Sequence, residues 1–165
     1  MSSMDTQLGS HAGGPAGLIQ RLVNWLTWLG MLIAPPVLRV ALAVPFFKSG
    51  LNKWDGLALS PSTFWLFQNE FKLHIFGAVY DFPMPTLAAY GSAVGEIVLP
   101  ILLVVGLATR FSALGILVMT AIIQLVFPDG WANFHLPWAA MAIAIMAIGP
   151  GALSLDRLIA GSTTR

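Results

Sequence analysis

Residues 85–108, PTLAAYGSAVGEIVLPILLVVGLA, decide the fold, because this long apolar run contains a single charged side chain, Glu96. A helix that rises about 1.5 Å per residue needs about 20 residues to cross a hydrocarbon core of about 30 Å. The stretch is long enough to do so. It therefore predicts a membrane-spanning helix with a carboxylate near its middle.

The composition of the whole chain agrees with a membrane protein. Of the 165 residues, 57% are hydrophobic and 9% are charged, whereas soluble domains carry about 25% charged residues. The net charge of +1 is spread along the chain, which argues against nucleic-acid binding. The chain has no cysteine and only three scattered histidines, so we expect no metal site built from protein ligands alone.

Three other apolar stretches predict spanning helices, and together with the first they give an all-α integral membrane four-helix bundle. The predicted membrane domain covers residues 35–151, with spans at about 35–52, 85–108, 111–127 and 135–150.

Two segments next to the first span are predicted to lie at the membrane surface. Residues 18–34 place Gln20, Asn24 and Thr27 on one face of an otherwise apolar helix, which indicates an interfacial amphipathic helix. Between spans 1 and 2, residues 60–79, SPSTFWLFQNEFKLHIFGAV, begin with capping serines and then repeat apolar residues at helical spacing. This pattern predicts a short helix on the outer surface.

The two ends of the chain and its arginines predict the orientation. Residues 1–17 predict a mobile N-terminal tail, and residues 152–165 predict a cytoplasmic C-terminal tail with a short amphipathic turn. With four spans, all five arginines fall at one face, which the positive-inside rule makes cytoplasmic: Arg21, Arg39, Arg110, Arg157 and Arg165. We therefore expect a multi-pass protein of a bacterial inner (plasma) membrane with both termini in the cytoplasm. As an alternative, residues 18–34 form a fifth span and place the N-terminus outside.

Glu96 is the first candidate for a functional residue. An ionised carboxylate at the bilayer centre costs about 2.5 to 3.5 kcal/mol on insertion scales, so such residues usually face a bundle interior. Ser92 lies one turn before it, and Gly91 and Gly95 permit close helix approach, either within the bundle or in a homo-oligomer. Pro100 has no N–H for the Glu96 carbonyl. Two interpretations remain open, a protonated structural hydrogen-bond donor and a catalytic proton relay.

Four further side chains are candidates for binding a polar ligand group near the outer ends of the spans: Lys48, Gln124, His135 and Trp131. A cavity walled by aromatic and aliphatic residues, with a few such donors and Glu96 below them, suits a quinone. Quinone carbonyls need hydrogen bonds, and their reduction needs protons. Alternatively, Lys48 extends to the outer surface, and His135 caps a helix or contacts headgroups.

Three stretches of the chain, residues 39–54, 95–110 and 135–159, resemble the DoxX family of small four-helix membrane proteins. The motifs are an arginine opening the first span, FKSGLNK at its end, G-E in the second span, G-L-x-T-R at the turn and G-P-G-x-x-S-L-D near the C-terminus. The residues at family-typical positions are Arg39, Lys53, Glu96, Arg110, His135 and Asp156. Arg39, Arg110 and Asp156 are expected to be structural charges at the inner face.

The resemblance implies a redox-associated protein, because the family is related to the membrane subunit of a thiosulfate:quinone oxidoreductase and often occurs with soluble partners. The chain has no cysteine pair, haem-attachment motif or dinucleotide fingerprint, so it contains no covalent cofactor and no redox centre of its own. We therefore expect an accessory subunit that binds a quinone or another lipid-like ligand and receives electrons from a soluble or membrane partner. The alternative is a non-catalytic transporter or scaffold, linked to copper handling.

Overall fold

A computed structural model describes residues 15–162, so most of the predicted N-terminal tail and the last three residues lie outside the described part. The chain divides into two compact units, Met1–Ala34 and Pro35–Arg165. The first helix, α1 (Pro15–Leu51), contains residues of both. Since α1 begins at Pro15, residues 15–17 are helical and do not belong to a tail.

The first unit, as far as it is described, consists of the N-terminal part of α1. In this part of α1 the Gln20 side-chain amide donates to the Asn24 side-chain oxygen at 2.9 Å, and the Thr27 hydroxyl donates to the carbonyl of Val23 at 2.9 Å. Residues 18–34 belong to α1 (Pro15–Leu51). The location of residues 18–34 in the membrane surface stays a prediction.

The second unit is built around four helices, as the sequence predicts. They are the Pro35–Leu51 portion of α1, α3 (Pro85–Val105), α4 (Thr109–Val126) and α5 (Leu136–Ile148). Within residues 15–162, four helices are long and apolar enough to cross a membrane: Pro15–Leu51, Pro85–Val105, Thr109–Val126 and Pro128–Ile148, the last of which includes α5 and the turns before it. The prediction of a multi-pass helical membrane protein is therefore confirmed.

The helices enclose an apolar core to which α1, α3, α4 and α5 all contribute. Its buried residues are Leu42, Ala43, Phe46, Leu103, Ala113, Ile116, Ala142 and Ile145. Many large apolar side chains on the outside of the helices are exposed, which is the pattern of a surface that faces lipid. Core packing thus fixes the helices relative to one another while the lipid-facing surface remains apolar.

The second unit has an arginine end and a hairpin end, named after the residues and strands found there. At the arginine end, defined by Arg39 and Arg110, α3 stops at Gly106, whose φ of 72° is the left-handed conformation that glycine adopts at helix ends. The chain then reverses within three residues, and α4 begins at Thr109. At the hairpin end, the segment between α1 and α3 forms two short hairpins.

The hairpin end contains strands that the sequence did not predict. β1 (Trp54–Asp55) pairs antiparallel with β2 (Ala58–Leu59), and β3 (Lys72–Ile75) pairs antiparallel with β4 (Ala78–Asp81). Between the two pairs lie α2 (Pro61–Trp65) and a π-helical turn, Leu66–Glu70.

A short helix between spans 1 and 2 is thus present, but it ends before β3. The helical spacing predicted through residue 79 is wrong for β3 and β4, because Phe76 and Gly77 turn the chain at φ values of 49° and 82°. Lys72 and Asp81 close the open end of this second hairpin with an ion pair at 2.6 Å. The outer-surface location of α2 stays a prediction.

The arginine end continues after α5 into a short C-terminal helix. α6 (Leu155–Ser162) begins after Ser154, whose hydroxyl accepts from the backbone N–H of Arg157 at 3.3 Å. Thus the predicted amphipathic turn is a helix of two turns. Residues 163–165, the end of the predicted tail, lie outside the described part.

Candidate functional site

A cavity of about 460 Å³ lies within the second unit, near the hairpin end. Most of its lining is aromatic or aliphatic, from α1, the π-helical turn, α3, α4 and α5. Four polar side chains reach it, namely Ser49, Lys53, Ser92 and Glu96. The volume is in the range of small-molecule binding sites, about 300 to 1,000 Å³. The cavity therefore has one polar wall and an otherwise apolar surface.

The polar wall is an ion pair with two serine partners. Lys53 Nζ lies 2.5 Å from Glu96 Oε2, and the Ser92 hydroxyl donates to Glu96 Oε1 at 2.8 Å. Lys53 Nζ also donates to the Ser49 hydroxyl at 3.0 Å. Glu96 is 3% exposed, and each of its carboxylate oxygens has a partner. An ammonium has three N–H groups, so Lys53 retains one for a further acceptor.

Spacing along two helices assembles this wall. Ser92 and Glu96 are four residues apart on α3 and therefore lie one above the other on the same face. Ser49 lies near the end of α1, and Lys53 follows it by four residues at the start of the connection to β1. One serine thus accompanies each member of the ion pair.

Gly50 permits the close approach of α1 to α3 at this level. A Cβ added at Gly50 would lie 2.9 Å from both the carbonyl carbon and the carbonyl oxygen of Glu96, which is closer than real Cβ atoms come. Pro100 has no N–H to occupy that carbonyl in the helix. The backbone of Glu96 is therefore open to α1, and Lys53, three residues after Gly50, reaches the Glu96 carboxylate.

The backbone of Lys53 is held from the other side by the start of α2. Its carbonyl accepts from the backbone N–H of Ser60 at 2.9 Å and from the hydroxyl of Thr63 at 3.2 Å. Thr63 is buried, and its N–H bonds to the Ser60 side chain that caps α2. Thus the α2 segment, which looked like a surface helix in the sequence, positions the lysine of the site.

Aromatic rings cover the hairpin end of the cavity. Phe67 stacks edge-on against Phe71 and Phe82, with ring centroids 4.9 and 5.5 Å apart, and Phe71 stacks against Phe127 at 5.4 Å. All four rings line the cavity. These edge-to-face pairs each stabilise the fold by about 0.5 to 1.5 kcal/mol beyond burial. They form part of the apolar lining of the cavity.

The four predicted ligand-binding side chains do not line the cavity. Lys48 is exposed on α1, and the cation beside Glu96 is Lys53 instead. Trp131 is 48% exposed at the hairpin end. His135 and Gln124 bind each other, with His135 Nδ1 2.6 Å from the Gln124 side-chain oxygen.

The bond between His135 and Gln124 has a defined direction. The Gln124 amide nitrogen donates to the carbonyl of Pro128 at 3.1 Å, so its oxygen faces His135 as an acceptor. His135 Nδ1 therefore carries a proton and donates it. The His135 ring packs 5.5 Å from that of Trp138, which lines the cavity. His135 thus lies behind the cavity wall, and a direct ligand contact for these residues stays a prediction.

A second polar cluster lies at the arginine end. Arg39 is 2% exposed, and its Nη2 donates to the carbonyl of Leu153 at 2.5 Å. A Cβ at Gly106 would overlap Arg39 Nη1 and lie 2.9 Å from the Cα of Ser154, and the φ of 72° also favours glycine there. Gly149 lies close to Arg110, since a Cβ there would be 3.2 Å from Arg110 Nη2, a tight but not overlapping contact.

Asp156 connects α6 to the turn between α3 and α4. Its carboxylate accepts the backbone N–H groups of Ala108 at 2.7 Å and Thr109 at 2.9 Å. Burial raises the pKa of Asp156, but the hydrogen bonds from Thr109 and Ala108 and the charge of Arg39 outweigh it, so the pKa lies below its usual value. The contacts of Asp156 join α6 to the α3–α4 turn, and a structural role for Arg39, Arg110 and Asp156 stays a prediction.

Sequence reasoning missed Lys53 and Ser49 as members of the site. The signal for them was the serine four residues before each charged residue, Ser49 before Lys53 and Ser92 before Glu96. Within residues 15–162, no three histidine, aspartate or glutamate side chains come together as a group that could hold a metal ion.

Comparisons with known proteins agree with the motifs of the chain. The sequence model of the DoxX family matches residues 34–129. A protein of Haemophilus influenzae described as "Uncharacterized protein" is 31% identical over 143 residues, covering 79% of this chain and 86% of its own. No solved structure matches the sequence significantly. The family match includes Arg39, Lys53, Glu96 and Arg110.

Proposed function

Because this chain belongs to the DoxX family and has an ion pair in an apolar cavity, we propose that it binds a quinone or another lipid-like ligand there. In this proposal the protein is an accessory subunit of a redox system in a bacterial inner membrane. Its arginine end faces the cytoplasm, as do both termini. A soluble or membrane partner supplies the electrons.

The observation that carries the proposal is the buried ion pair in the wall of the cavity. Two charges removed from water lose several kcal/mol of hydration each, so apolar residues of similar size usually stabilise a fold equally well or better. The pair between Lys53 and Glu96 is therefore poorly explained by stability alone. Its position beside an open volume favours a role in binding.

The chemistry of the pair suits a carbonyl ligand. The remaining N–H of Lys53 donates to a ligand oxygen, and the aromatic lining packs against a planar ring. Reduction of a quinone to the hydroquinone consumes two electrons and two protons. In the proposed mechanism the partner supplies both electrons, and the ammonium of Lys53 gives a proton to the reduced ligand oxygen. The carboxylate of Glu96 then takes up a proton from water and passes it to Lys53, and a second round of the same transfer supplies the second proton.

Ligand titration tests the binding role. Purified protein in mild detergent is titrated with ubiquinone-1, and quenching of tryptophan fluorescence reports occupancy near Trp138. We expect Lys53→Gln to weaken binding by about 10- to 100-fold, because a hydrogen bond to a charged group contributes about 1.5 to 3 kcal/mol. Lys48→Gln is the matched control, since it removes the same charge from an exposed position of α1. Equal affinity of Lys53→Gln and Lys48→Gln would contradict the proposal.

The proton role is tested separately with Glu96→Gln. We expect this variant to bind ubiquinone-1 but to slow the proton uptake that accompanies its reduction by an added chemical reductant, because an amide does not relay protons at neutral pH. Unchanged affinity together with unchanged proton uptake would remove Glu96 from the mechanism. Elemental analysis of the same preparation addresses the copper alternative, which a stoichiometric metal content without bound quinone would favour.

A further inference from the structure

The line of contact between α3 and α4, here called the seam, is tighter towards one end of the helices than towards the other. Towards the arginine end the two helices are in close contact, because a Cβ at Gly95 would lie 3.3 Å from Met119 Sδ, and a Cβ at Gly115 would lie 2.8 Å from Leu99. One turn closer to the hairpin end, a Cβ at Gly91 would meet no atom within 4 Å. The seam is therefore closed at Gly95 and open at Gly91.

The open part of the seam coincides with the cavity. Gly91 and Ile122 both line the cavity, and both are exposed on the outside of the unit. Gly91 belongs to α3 and Ile122 to α4, the two helices that carry the closed contact at Gly95. The same two residues thus border the cavity on one side and the surrounding medium on the other.

The surface around Gly91 belongs to a helix that is long and apolar enough to span a membrane. Gly91 lies about 9 Å along α3 from its first residue, at about 1.5 Å per residue. Its exposed neighbours on α3, Leu87, Val94 and Val98, are all apolar. The ion pair lies further along α3, at Glu96, and Gly91, Lys53 and Glu96 line the same cavity.

We propose that the ligand enters sideways from the bilayer, through a portal between α3 and α4 bounded by Gly91 and Ile122. This inference rests on the proposed function, and it narrows the ligand class. The ligand has a small polar head that fits the cavity and a long apolar tail that stays in the portal and the lipid. A glycine at residue 91 keeps the portal open because it has no side chain.

The portal is tested with the protein reconstituted in phosphatidylcholine nanodiscs. Two probes are used, ubiquinone-10 supplied in the bilayer and ubiquinone-0, which has no tail, supplied in water. Stopped-flow quenching of tryptophan fluorescence gives the rates of association, and a Trp138→Phe protein defines the quenching that arises outside the cavity. Gly91→Phe fills the portal, and its Cβ enters open space, so we expect the fold to tolerate it.

Val94→Phe is the matched control, because Val94 is also exposed on α3 but does not line the cavity. We expect Gly91→Phe to slow association of ubiquinone-10 by more than about tenfold, which corresponds to about 1.4 kcal/mol in the barrier, while ubiquinone-0 binds as in the unchanged protein. Ile122→Trp narrows the portal from α4 and is expected to give the same result. It serves as the test variant if Gly91→Phe folds poorly.

The outcomes separate the portal from the proposed function. If the unchanged protein binds both probes and neither Gly91→Phe nor Ile122→Trp differs from Val94→Phe, the portal is wrong and the proposed function stands. If the unchanged protein binds neither probe, the proposed function fails, and the portal with it. The portal is supported if Gly91→Phe and Ile122→Trp bind ubiquinone-10 more slowly than Val94→Phe does, while ubiquinone-0 binds all three equally fast.

Discussion

Single and double substitutions of Lys53 and Glu96 separate the effect of the ion pair on the stability of the fold from its effect on ligand binding. Lys53→Met leaves Glu96 Oε2 without its partner in a site where the residue is 3% exposed. Breaking a buried pair by removing one partner usually costs about 3 to 5 kcal/mol. The lower end applies here, about 3 kcal/mol, because Ser92 still binds Oε1 and the site lies at a cavity.

The double variant, Lys53→Met with Glu96→Met, is predicted to recover most of that loss. The double variant buries no charge, so it has no cost of removing charges from water. Two flexible apolar side chains then lie in an apolar cavity. Ser49 and Ser92 can bond to helix carbonyls one turn earlier. We therefore expect the double variant to be about as stable as the unchanged protein while binding no ubiquinone-1.

Thermal unfolding in detergent, followed by circular dichroism, measures the stability of Lys53→Met, Glu96→Met and the double variant. A loss of about 3 kcal/mol corresponds to about 6 to 12 °C in Tm for a chain of this size. Lys48→Met serves as the control and should shift Tm by less than about 2 °C, because surface substitutions stay within about 0.5 kcal/mol. The reasoning is refuted if the double variant loses as much stability as the two single variants together, because the pair would then be structural.

Three other predictions concern the packing around the site and the two ends of the bundle. Gly50→Ala should destabilise the protein by about 1 to 3 kcal/mol in thermal unfolding and weaken ubiquinone-1 binding, because its Cβ overlaps the backbone of Glu96; unchanged Tm would show that α1 and α3 are not in close contact there. Phe76→Asn should raise stability by about 1 kcal/mol, since asparagine adopts the positive φ of this exposed turn with less strain; a lower Tm would mean that the ring makes stabilising contacts. The lowered pKa of Asp156 contributes stability that is present above the ordinary aspartate pKa of about 3.9 and is lost as the pH falls through the folded-state value. The dependence of Tm on pH between about 2 and 5 should therefore flatten in Asp156→Asn. An identical dependence in both proteins would contradict this linkage.

The spanning helices and the family were predictable from the sequence because their signals are long and local. Apolar runs of helix length and the motifs around Arg39 and Glu96 require no knowledge of which helices touch. The burial of Glu96 followed from the same argument, since a carboxylate in the middle of a span must face the bundle interior. Both the DoxX resemblance and the four-helix membrane fold are confirmed.

The partner of Glu96 was not predictable in the same way. Lys48 was preferred because it lies within the predicted span, whereas Lys53 follows the end of the helix at Leu51. The close contact at Gly50 and the hydrogen bonds from Ser60 and Thr63 bring Lys53 to the carboxylate. These are tertiary contacts, which helical spacing on α1 does not contain.

The hairpins were missed because apolar residues between α1 and α3 recur at helical spacing, although part of this segment is extended. Phe64, Phe67, Phe71 and Ile75 repeat at helical spacing, yet the chain is extended after Phe71. The turn at Phe76 and Gly77 lacks the asparagine or aspartate that usually marks such a hairpin, and a phenylalanine at positive φ is uncommon. The aromatic residues of this segment cover the cavity, so tertiary packing determined the local structure.

The role of the two α3 glycines was predictable only in part. Gly91 and Gly95 were expected to permit close helix approach, within the bundle or between copies of the chain. Gly95 approaches Met119 of α4 within the same chain, and Gly91 borders the cavity. Oligomerisation through these residues stays a prediction.

Mass spectrometry of the small molecules that co-purify with the protein tests the central claim most directly. The protein, Lys48→Met and the double variant of Lys53 and Glu96 are purified from the same membranes in mild detergent, and their organic extracts are compared. The account predicts near-stoichiometric quinone or another tailed lipid-like carbonyl compound in the unchanged protein and in Lys48→Met, and its loss from the double variant. Equal amounts of the same molecules in all three preparations, or none in any, would contradict a ligand site at the ion pair of Lys53 and Glu96.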